Sequence, residues 1–290
     1  MKMRPRHFRK SLPATFTNMK AMLVLLFLGC ALSARAADSL RILASRPMSA
    51  RSITTDELGN IYAIQKDNTL ARYNAQGDST GFYRSALNGQ LGSVDATNPL
   101  RLLLYFPAFN KVQVLDRQLA LKAEVDLRPL RIFSPTAIAT ASDGNIWVYD
   151  PVNARLLKLD ETGARIQEGI DLRQQLSFVP KAGFLLERDR RLYLCDTAHG
   201  ILVFDPFASY ITTLPFRPVA SLQAFNHQLV FRRGNTLCSY DMQTFGEQLL
   251  PLPEDRQQHI LGACLSSASL AVLYEKSLVI YALPEGHSAR

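Results

Sequence analysis

The feature of this sequence that most constrains its fold is an internal repeat of about 42 residues. The segment Asp56-Glu-Leu-Gly-Asn-Ile-Tyr-Ala-Ile-Gln65 resembles Asp143-Gly-Asn-Ile-Trp-Val-Tyr-Asp150, and each is followed by a second strand-like segment that ends in a turn. An Asn or Asp ends such a segment at positions 74, 116, 160, 205 and 241, at intervals of 36–45 residues. Repeats of this length, built from short strands, are typical of the four-stranded blades of β-propellers.

The number of repeats predicts the number of blades. The 254 residues that follow residue 36 divide into six units of about 42, and they contain no extended helical pattern. We therefore predict an all-β fold: a single six-bladed β-propeller over residues 37–290, with four antiparallel strands in each blade. The last blade, residues 260–283, has only three evident strands, and Ser39–Ser45 is a spare alternating strand. We expect this N-terminal strand to pair at the outer edge of the last blade and close the ring.

Eight residues of the two clearest repeats are predicted to have structural roles. The Gly-Asn pairs at 59–60 and 144–145 predict tight turns with positive φ before an alternating strand, and Trp147 is expected in the core between blades. The predicted structural positions are Gly59, Asn60, Gly77, Gly144, Asn145, Trp147, Asp160 and Gly163.

These motifs carry a resemblance to a known family. Asp143–Asp150, together with the following Asn153–Asp160 and Gly163, resembles an NHL-type propeller repeat. The whole region after residue 36, including Gly92–Phe106, is similar to a group of exported six-bladed propellers of Bacteroidetes-type bacteria. The resemblance implies the architecture and export, and it implies no activity.

The N-terminal segment has the three parts of a secretory signal. Basic residues precede the apolar run Met22–Leu32, and Ala34-Arg35-Ala36 fits the A-x-A cleavage pattern. The run is about half the length of a membrane-spanning helix, so we predict a signal peptide over residues 1–36, with Met19 as an alternative start. A lipid anchor at Cys30 is the weaker alternative, because Phe27 and Leu28 fit a lipobox poorly. The predicted location is the periplasm or the cell surface, with no transmembrane segment in the mature chain.

The basic charge of the whole chain belongs to this leader. The chain has 33 Lys and Arg against 25 Asp and Glu, a formal net charge of +8. Seven basic residues and no acidic residue lie in 1–36, so cleavage leaves 26 basic and 25 acidic residues. A nearly neutral mature chain argues against nucleic-acid binding.

The candidate functional site is the axial channel and its rim, where propellers gather their innermost strands. A metal-dependent lactonase or lyase would need carboxylates, Asn or His that converge there. The candidates are Asp95, Asn98, Glu187 and Asp56. The alternative for Asp95 and Asn98 is an Asx turn braced by Pro99. We assign no catalytic residue, no metal and no cofactor from the sequence.

The absence of a catalytic constellation favours a binding function. His199, His227, His259 and His287 show no metal-ligand spacing, and Cys195, Cys238 and Cys264 are expected to be buried thiols. The sequence therefore predicts a non-catalytic, exported propeller that binds an envelope or surface protein. The alternatives are the metal-dependent enzyme and a carbohydrate-binding propeller, for which Tyr83, Tyr105, Phe106 and Phe109 are the available aromatic residues.

Overall fold

Six four-stranded antiparallel sheets form the blades of a β-propeller. The structure, a computed structural model, describes residues 40–85, 87–219, 221–253 and 258–283. The sheets follow one another along the chain, and the first strands of consecutive sheets contact each other around a central axis. The predicted fold class is therefore confirmed. We call the strands of each blade A to D, from the axis outward.

The first three blades have strands of four to six residues. Blade 1 comprises β2 (Ala50–Thr55), β3 (Ile61–Gln65), β4 (Leu70–Tyr73) and β5 (Ser79–Tyr83). Blade 2 comprises β6 (Ser93–Asn98), β7 (Arg101–Phe106), β8 (Lys111–Asp116) and β9 (Leu121–Asp126), with a 3-10 turn at Pro107–Phe109. Blade 3 comprises β10 (Ala137–Thr140), β11 (Ile146–Asp150), β12 (Arg155–Leu159) and β13 (Arg165–Glu168).

The last three blades repeat this order, and a short helix, α1 (Leu172–Leu176), links blade 3 to blade 4. Blade 4 comprises β14 (Ala182–Arg188), β15 (Arg191–Asp196), β16 (Gly200–Phe204) and β17 (Tyr210–Leu214). Blade 5 comprises β18 (Leu222–Phe225), β19 (Gln228–Arg233), β20 (Thr236–Asp241) and β21 (Glu247–Pro251). Blade 6 comprises β22 (Ile260–Leu265), β23 (Ser269–Tyr274), β24 (Ser277–Ala282) and β1 (Ile42–Pro47).

The N-terminal strand closes the ring as predicted. Strand β1 pairs antiparallel with β24, with Ser45 opposite Val279, and forms the outer edge of blade 6. The strand begins and ends slightly later than the segment 39–45 expected from the sequence. This pairing joins the first described residues of the chain to the last and covers the outer edge of β24, so that blade 6 has four strands like the other blades.

The Asn and Asp residues that repeat in the sequence shape the turns between strands C and D. In four blades the side-chain Oδ1 accepts hydrogen bonds from the backbone N–H groups two and four residues later, at 2.8–3.0 Å. These residues are Asn74, Asp116, Asp160 and Asp205. The glycines of the repeats have the expected positive φ, which is 82° at Gly59 and 83° at Gly144. The repeated Asn, Asp and Gly positions of the sequence are therefore explained by the hydrogen bonds and backbone angles that these turns require.

The hydrophobic core lies between neighbouring blades. Trp147 is fully buried and belongs to the same core cluster as Leu185 and Leu194 of blade 4. Cys195, Cys238 and Cys264 are buried free thiols, as expected. Among the described residues, no helix is long and apolar enough to cross a membrane. The predicted signal peptide, Cys30 and His287 lie outside the described residues.

Candidate functional site: the axial channel and its mouth

The axial channel is narrow and mostly apolar. A cavity of about 80 Å³ lies between the innermost strands of blades 1 to 5. Its apolar lining includes Val94, Ala137, Ile138, Leu185, Leu186, Leu222, Ala224 and Phe225. The same lining also contains polar side chains, of which Asp56, Glu57, Asp95 and Arg188 are charged.

A larger vestibule lies at one end of the channel, on the face formed by the A–B and C–D turns, which we call the A–B face. The vestibule has a volume of about 410 Å³ and is lined by residues of blades 1 to 4. Glu57, Thr97 and Arg188 line both the vestibule and the channel cavity, so they mark the boundary between the two. Thr140 also lines the vestibule, and its buried Oγ1 has no hydrogen-bond partner among the described residues.

An ion pair spans this boundary. The guanidinium of Arg188, in blade 4, donates a hydrogen bond to the carboxylate of Glu57, in blade 1. Blades 1 and 4 are three places apart in the ring of six, so the pair crosses the mouth of the channel. Asp189 lies 4.0 Å from the Arg188 side chain and adds a second carboxylate. The sequence does not reveal this pair, because its partners are 131 residues apart.

Glu187 joins blade 4 to blade 3 and is almost fully buried. One carboxylate oxygen accepts hydrogen bonds from the backbone N–H of Ser142, at 3.1 Å, and from the Ser142 hydroxyl. The other oxygen accepts from the indole N–H of Trp147. The Lys158 ammonium lies 4.7 Å from the centre of the Trp147 ring and 3.1 Å from Asp143, and so adds a cation–π contact. These contacts give Glu187 a structural role.

Asp95 and Asn98 form consecutive Asx turns at the end of strand A in blade 2. The Asp95 Oδ1 accepts from the backbone N–H of Thr97 at 2.8 Å, and the Asn98 Oδ1 accepts from that of Leu100 at 2.9 Å. The other Asp95 oxygen accepts from the backbone N–H of Thr140 in blade 3, at 2.5 Å. The turn geometry matches the alternative raised from the sequence, and it also ties blade 2 to blade 3.

Asp56 is buried and has four donors. Its Oδ1 accepts from the backbone N–H groups of Leu58 and Asn60, and its Oδ2 accepts from the Asn60 amide and the Tyr62 hydroxyl, all at 2.7–3.0 Å. Burial and the adjacent Asp56 carboxylate raise the pKa of Tyr62 well above its usual value. Asp56 therefore organises the A–B turn of blade 1.

The candidate side chains of Asp56, Asp95, Asn98 and Glu187 are thus distributed over blades 1, 2 and 4 and do not converge on one site. Every oxygen of the Asp56, Asp95 and Glu187 carboxylates already accepts a hydrogen bond from the protein. Within the part of the chain that the structure describes, no group of three or more His, Cys, Asp or Glu side chains could hold a metal ion. This donor set does not fit the metal centre of a lactonase or lyase.

The aromatic and histidine candidates do not form a ligand platform. Tyr105 and Phe106 are buried in the core, whereas Phe109 is 41% exposed and the half-buried Tyr83 donates to Gln113. His199, His227 and His259 are exposed. The His199 ring stacks on Phe178 at 3.7 Å and contacts buried Asp196, on the face opposite the A–B face.

Comparisons with known proteins show the fold alone. No protein-family model and no curated protein matches the chain. The Pan2 WD40 domain of Neurospora crassa is similar, with 11% identity and a TM-score of 0.62 over 86% of this chain and 96% of that chain. A streptogramin B lyase has 12% identity and a TM-score of 0.58 over 85% and 97% of the two chains. The virginiamycin B lyase of Staphylococcus aureus has 14% identity and a TM-score of 0.56 over 83% and 99%. These similarities support the β-propeller fold.

Proposed function

We propose that this chain is an exported, non-catalytic propeller that binds an envelope or cell-surface protein. The observation that carries the proposal is that the oxygens of the Asp56, Asp95 and Glu187 carboxylates all accept hydrogen bonds from the protein itself. Asp95 and Glu187 use their oxygens to hold blade 3 between blades 2 and 4, and Asp56 holds a turn. A general acid, a general base or a metal ligand needs an oxygen that can reach the substrate or the ion.

A rigid propeller face suits protein recognition. The turns of the A–B face are held by side-chain to backbone hydrogen bonds in every blade from 1 to 5, so little conformational entropy is lost when a partner binds. Similar folds occur in a lyase and in a WD40 domain, so the fold alone does not choose between enzyme and binder. The hydrogen bonds that already occupy the candidate carboxylates favour a binding protein.

Two features of the sequence support export. One is the three-part signal pattern of residues 1–36, and the other is the resemblance of the following region to exported propellers with NHL-type repeats. The test is N-terminal sequencing of the protein expressed in a bacterium with its own leader. Cleavage after Ala36 and recovery from the envelope or medium are expected. Labelling of Cys30 by a fatty acid would instead indicate a lipoprotein, and a full-length cytoplasmic product would contradict export.

The binding function is tested by cross-linking in cells that express the full chain with a C-terminal tag. A specific envelope protein should be enriched relative to cells that export the tag on an unrelated propeller. The competing metal-dependent enzyme is tested on the same purified protein by elemental analysis and a panel of lactones. Stoichiometric calcium or zinc, with turnover that Asp95→Ala abolishes, would replace the binding proposal by the enzyme.

A further inference from the structure

A second depression on the A–B face lies between blades 1 and 2, away from the channel. It has a volume of about 410 Å³ and is lined by side chains of two A–B turns and of the blade 2 C–D turn. The residues that matter below are Leu58, Arg72, Thr80, Pro99, Arg117 and Gln118. We call this depression the Arg117 cleft.

The charge of the cleft has one sign. Its two ionisable lining residues are Arg72 and Arg117, and no carboxylate lines it. In the vestibule, by contrast, Arg188 and Arg190 share the lining with Glu57, Glu187 and Asp189. Of these two depressions, the Arg117 cleft is therefore the one that favours an anionic group.

The two arginines differ in what they can offer a ligand. Arg72 forms the base of the cleft: it donates to the Thr80 hydroxyl at 2.9 Å, to the Thr80 carbonyl at 3.2 Å and to the Arg117 carbonyl at 2.5 Å. The exposed guanidinium of Arg117 has no hydrogen bond or ion pair within the described residues, and neither has the Gln118 side chain. Arg117 thus presents a complete set of donors to solvent.

An apolar edge borders the charged part. Leu58 is 62% exposed in the A–B turn of blade 1, and Pro99 lines the opposite wall from the A–B turn of blade 2. Leu100, which follows Pro99, is 61% exposed. The Arg117 guanidinium, beside the exposed Leu58 and the partly buried Pro99, matches a ligand in which a carboxylate lies next to an apolar group.

We propose that the Arg117 cleft binds an extended acidic segment of the partner protein, in which an Asp or Glu neighbours a leucine-sized side chain. The carboxylate pairs with the Arg117 guanidinium, and the apolar side chain packs on Leu58 and Pro99. This inference rests on the proposed binding function and specifies the chemistry of the partner. The apolar edge distinguishes the cleft from a phosphate-binding patch, which would gather several free cations.

The test uses a library of random dodecapeptides displayed on phage, selected on the full mature protein. Selected peptides are then measured by fluorescence anisotropy against Arg117→Glu, Leu58→Ser and a control, Arg131→Glu. Arg131 is exposed in the segment between blades 2 and 3 and does not line the cleft. The selected peptides should carry Asp or Glu beside Leu, Ile or Phe. Their affinity should fall about tenfold or more in Arg117→Glu, fall in Leu58→Ser and stay unchanged in Arg131→Glu.

The outcomes separate this inference from the proposed function. Peptides without an acidic residue, or peptides that bind Arg117→Glu as well as wild type, would overturn the acidic segment while leaving the binding function in place. Failure to select any peptide on the folded protein would also overturn it. The cross-linking experiment with the whole partner would then decide the binding function independently. Unchanged thermal denaturation of each variant confirms that the fold is intact.

Discussion

Arg188 of blade 4 pairs with Glu57 of blade 1 across the mouth of the axial channel. The residue before it, Glu187, is buried and accepts hydrogen bonds from Ser142 and Trp147 of the neighbouring blade. Consecutive side chains of one strand therefore make an exposed contact across the channel and a buried contact between adjacent blades. The two contacts should contribute very different amounts to the free energy of unfolding.

The buried contact should dominate stability. Glu187→Gln places an amide N–H₂ opposite a donor of Ser142 or Trp147, and we expect it to lower the free energy of unfolding by about 1–3 kcal/mol. Arg188→Gln should change it by less than about 1 kcal/mol, because the Arg188 and Glu57 side chains are 31% and 49% exposed. Urea denaturation followed by the fluorescence of Trp147, the single tryptophan, measures both. Equal losses in the two variants would contradict this difference.

Removal of the closing strand should destabilise the whole ring. Deletion of residues 38–46 takes away most of β1 and exposes the edge of β24. We expect the thermal midpoint to fall by about 10 °C or more, since 1 kcal/mol corresponds to about 2–4 °C in a domain of this size. Calorimetry of residues 37–290 with and without residues 38–46 measures the effect. An unchanged midpoint would rule out closure by β1.

The three described thiols should be free but unreactive in the folded protein. Burial raises the pKa of Cys264 to about 12 and raises the pKa values of Cys195 and Cys238 above the usual value. Because the thiolate is the reactive form, all three should react slowly with a disulfide reagent at pH 8. After denaturation without reductant, the chain lacking residues 1–36 should titrate three thiols. One thiol would instead indicate a disulfide.

Acid should destabilise the protein partly through Asp196. Burial raises the pKa of this carboxyl, but hydrogen bonds from the His199 ring and from the backbone N–H groups of His199, Lys181 and Ala198 outweigh it, and the net pKa is lowered. A folded-state pKa below the unfolded value adds stability above the unfolded pKa near 3.8, and this stability is lost as pH falls through the folded value.

The Asp196 variants give this pH dependence a direct test. Asp196→Asn should be less stable than wild type at pH 7 and should lose less additional stability between pH 5 and 2. His199→Ala keeps the backbone donors and should show a smaller change. Urea midpoints measured across that range provide the comparison. A slope for Asp196→Asn equal to that of wild type would contradict the assignment.

Most of the fold could be predicted from local sequence, because the repeat consists of turns whose chemistry is local. Asn74, Asp116, Asp160 and Asp205 each bind backbone groups two and four residues later, and Gly59 and Gly144 adopt the positive φ that their turns need. Such signals act within about five residues, so they can be read without tertiary contacts. The position of β1 was also predictable, because the sequence shows only three strands in the last blade and the other blades have four.

The site could be predicted only in part. The sequence singled out Asp95, Asn98 and Glu187 as candidates for the channel and its rim, but a sequence does not show which donors surround a carboxylate. The contacts of Asp95 with Thr140 and of Glu187 with Ser142 each join residues 45 positions apart. No sequence pattern near either residue of such a pair indicates the other residue. The structural role of both carboxylates is therefore seen only when neighbouring blades are packed together.

By itself, the sequence determined that the chain forms about six repeated β-units, and that residues 1–36 carry seven basic and no acidic residues and so account for nearly all of the net charge. Tertiary structure alone decided which charges are paired and which are free. It placed Glu57 against Arg188 across the channel and left Arg117 unpaired within the described residues, beside Leu58. The physical reason is that turns and strand alternation depend on neighbours in the chain, whereas pairing and burial depend on which blades the ring brings together.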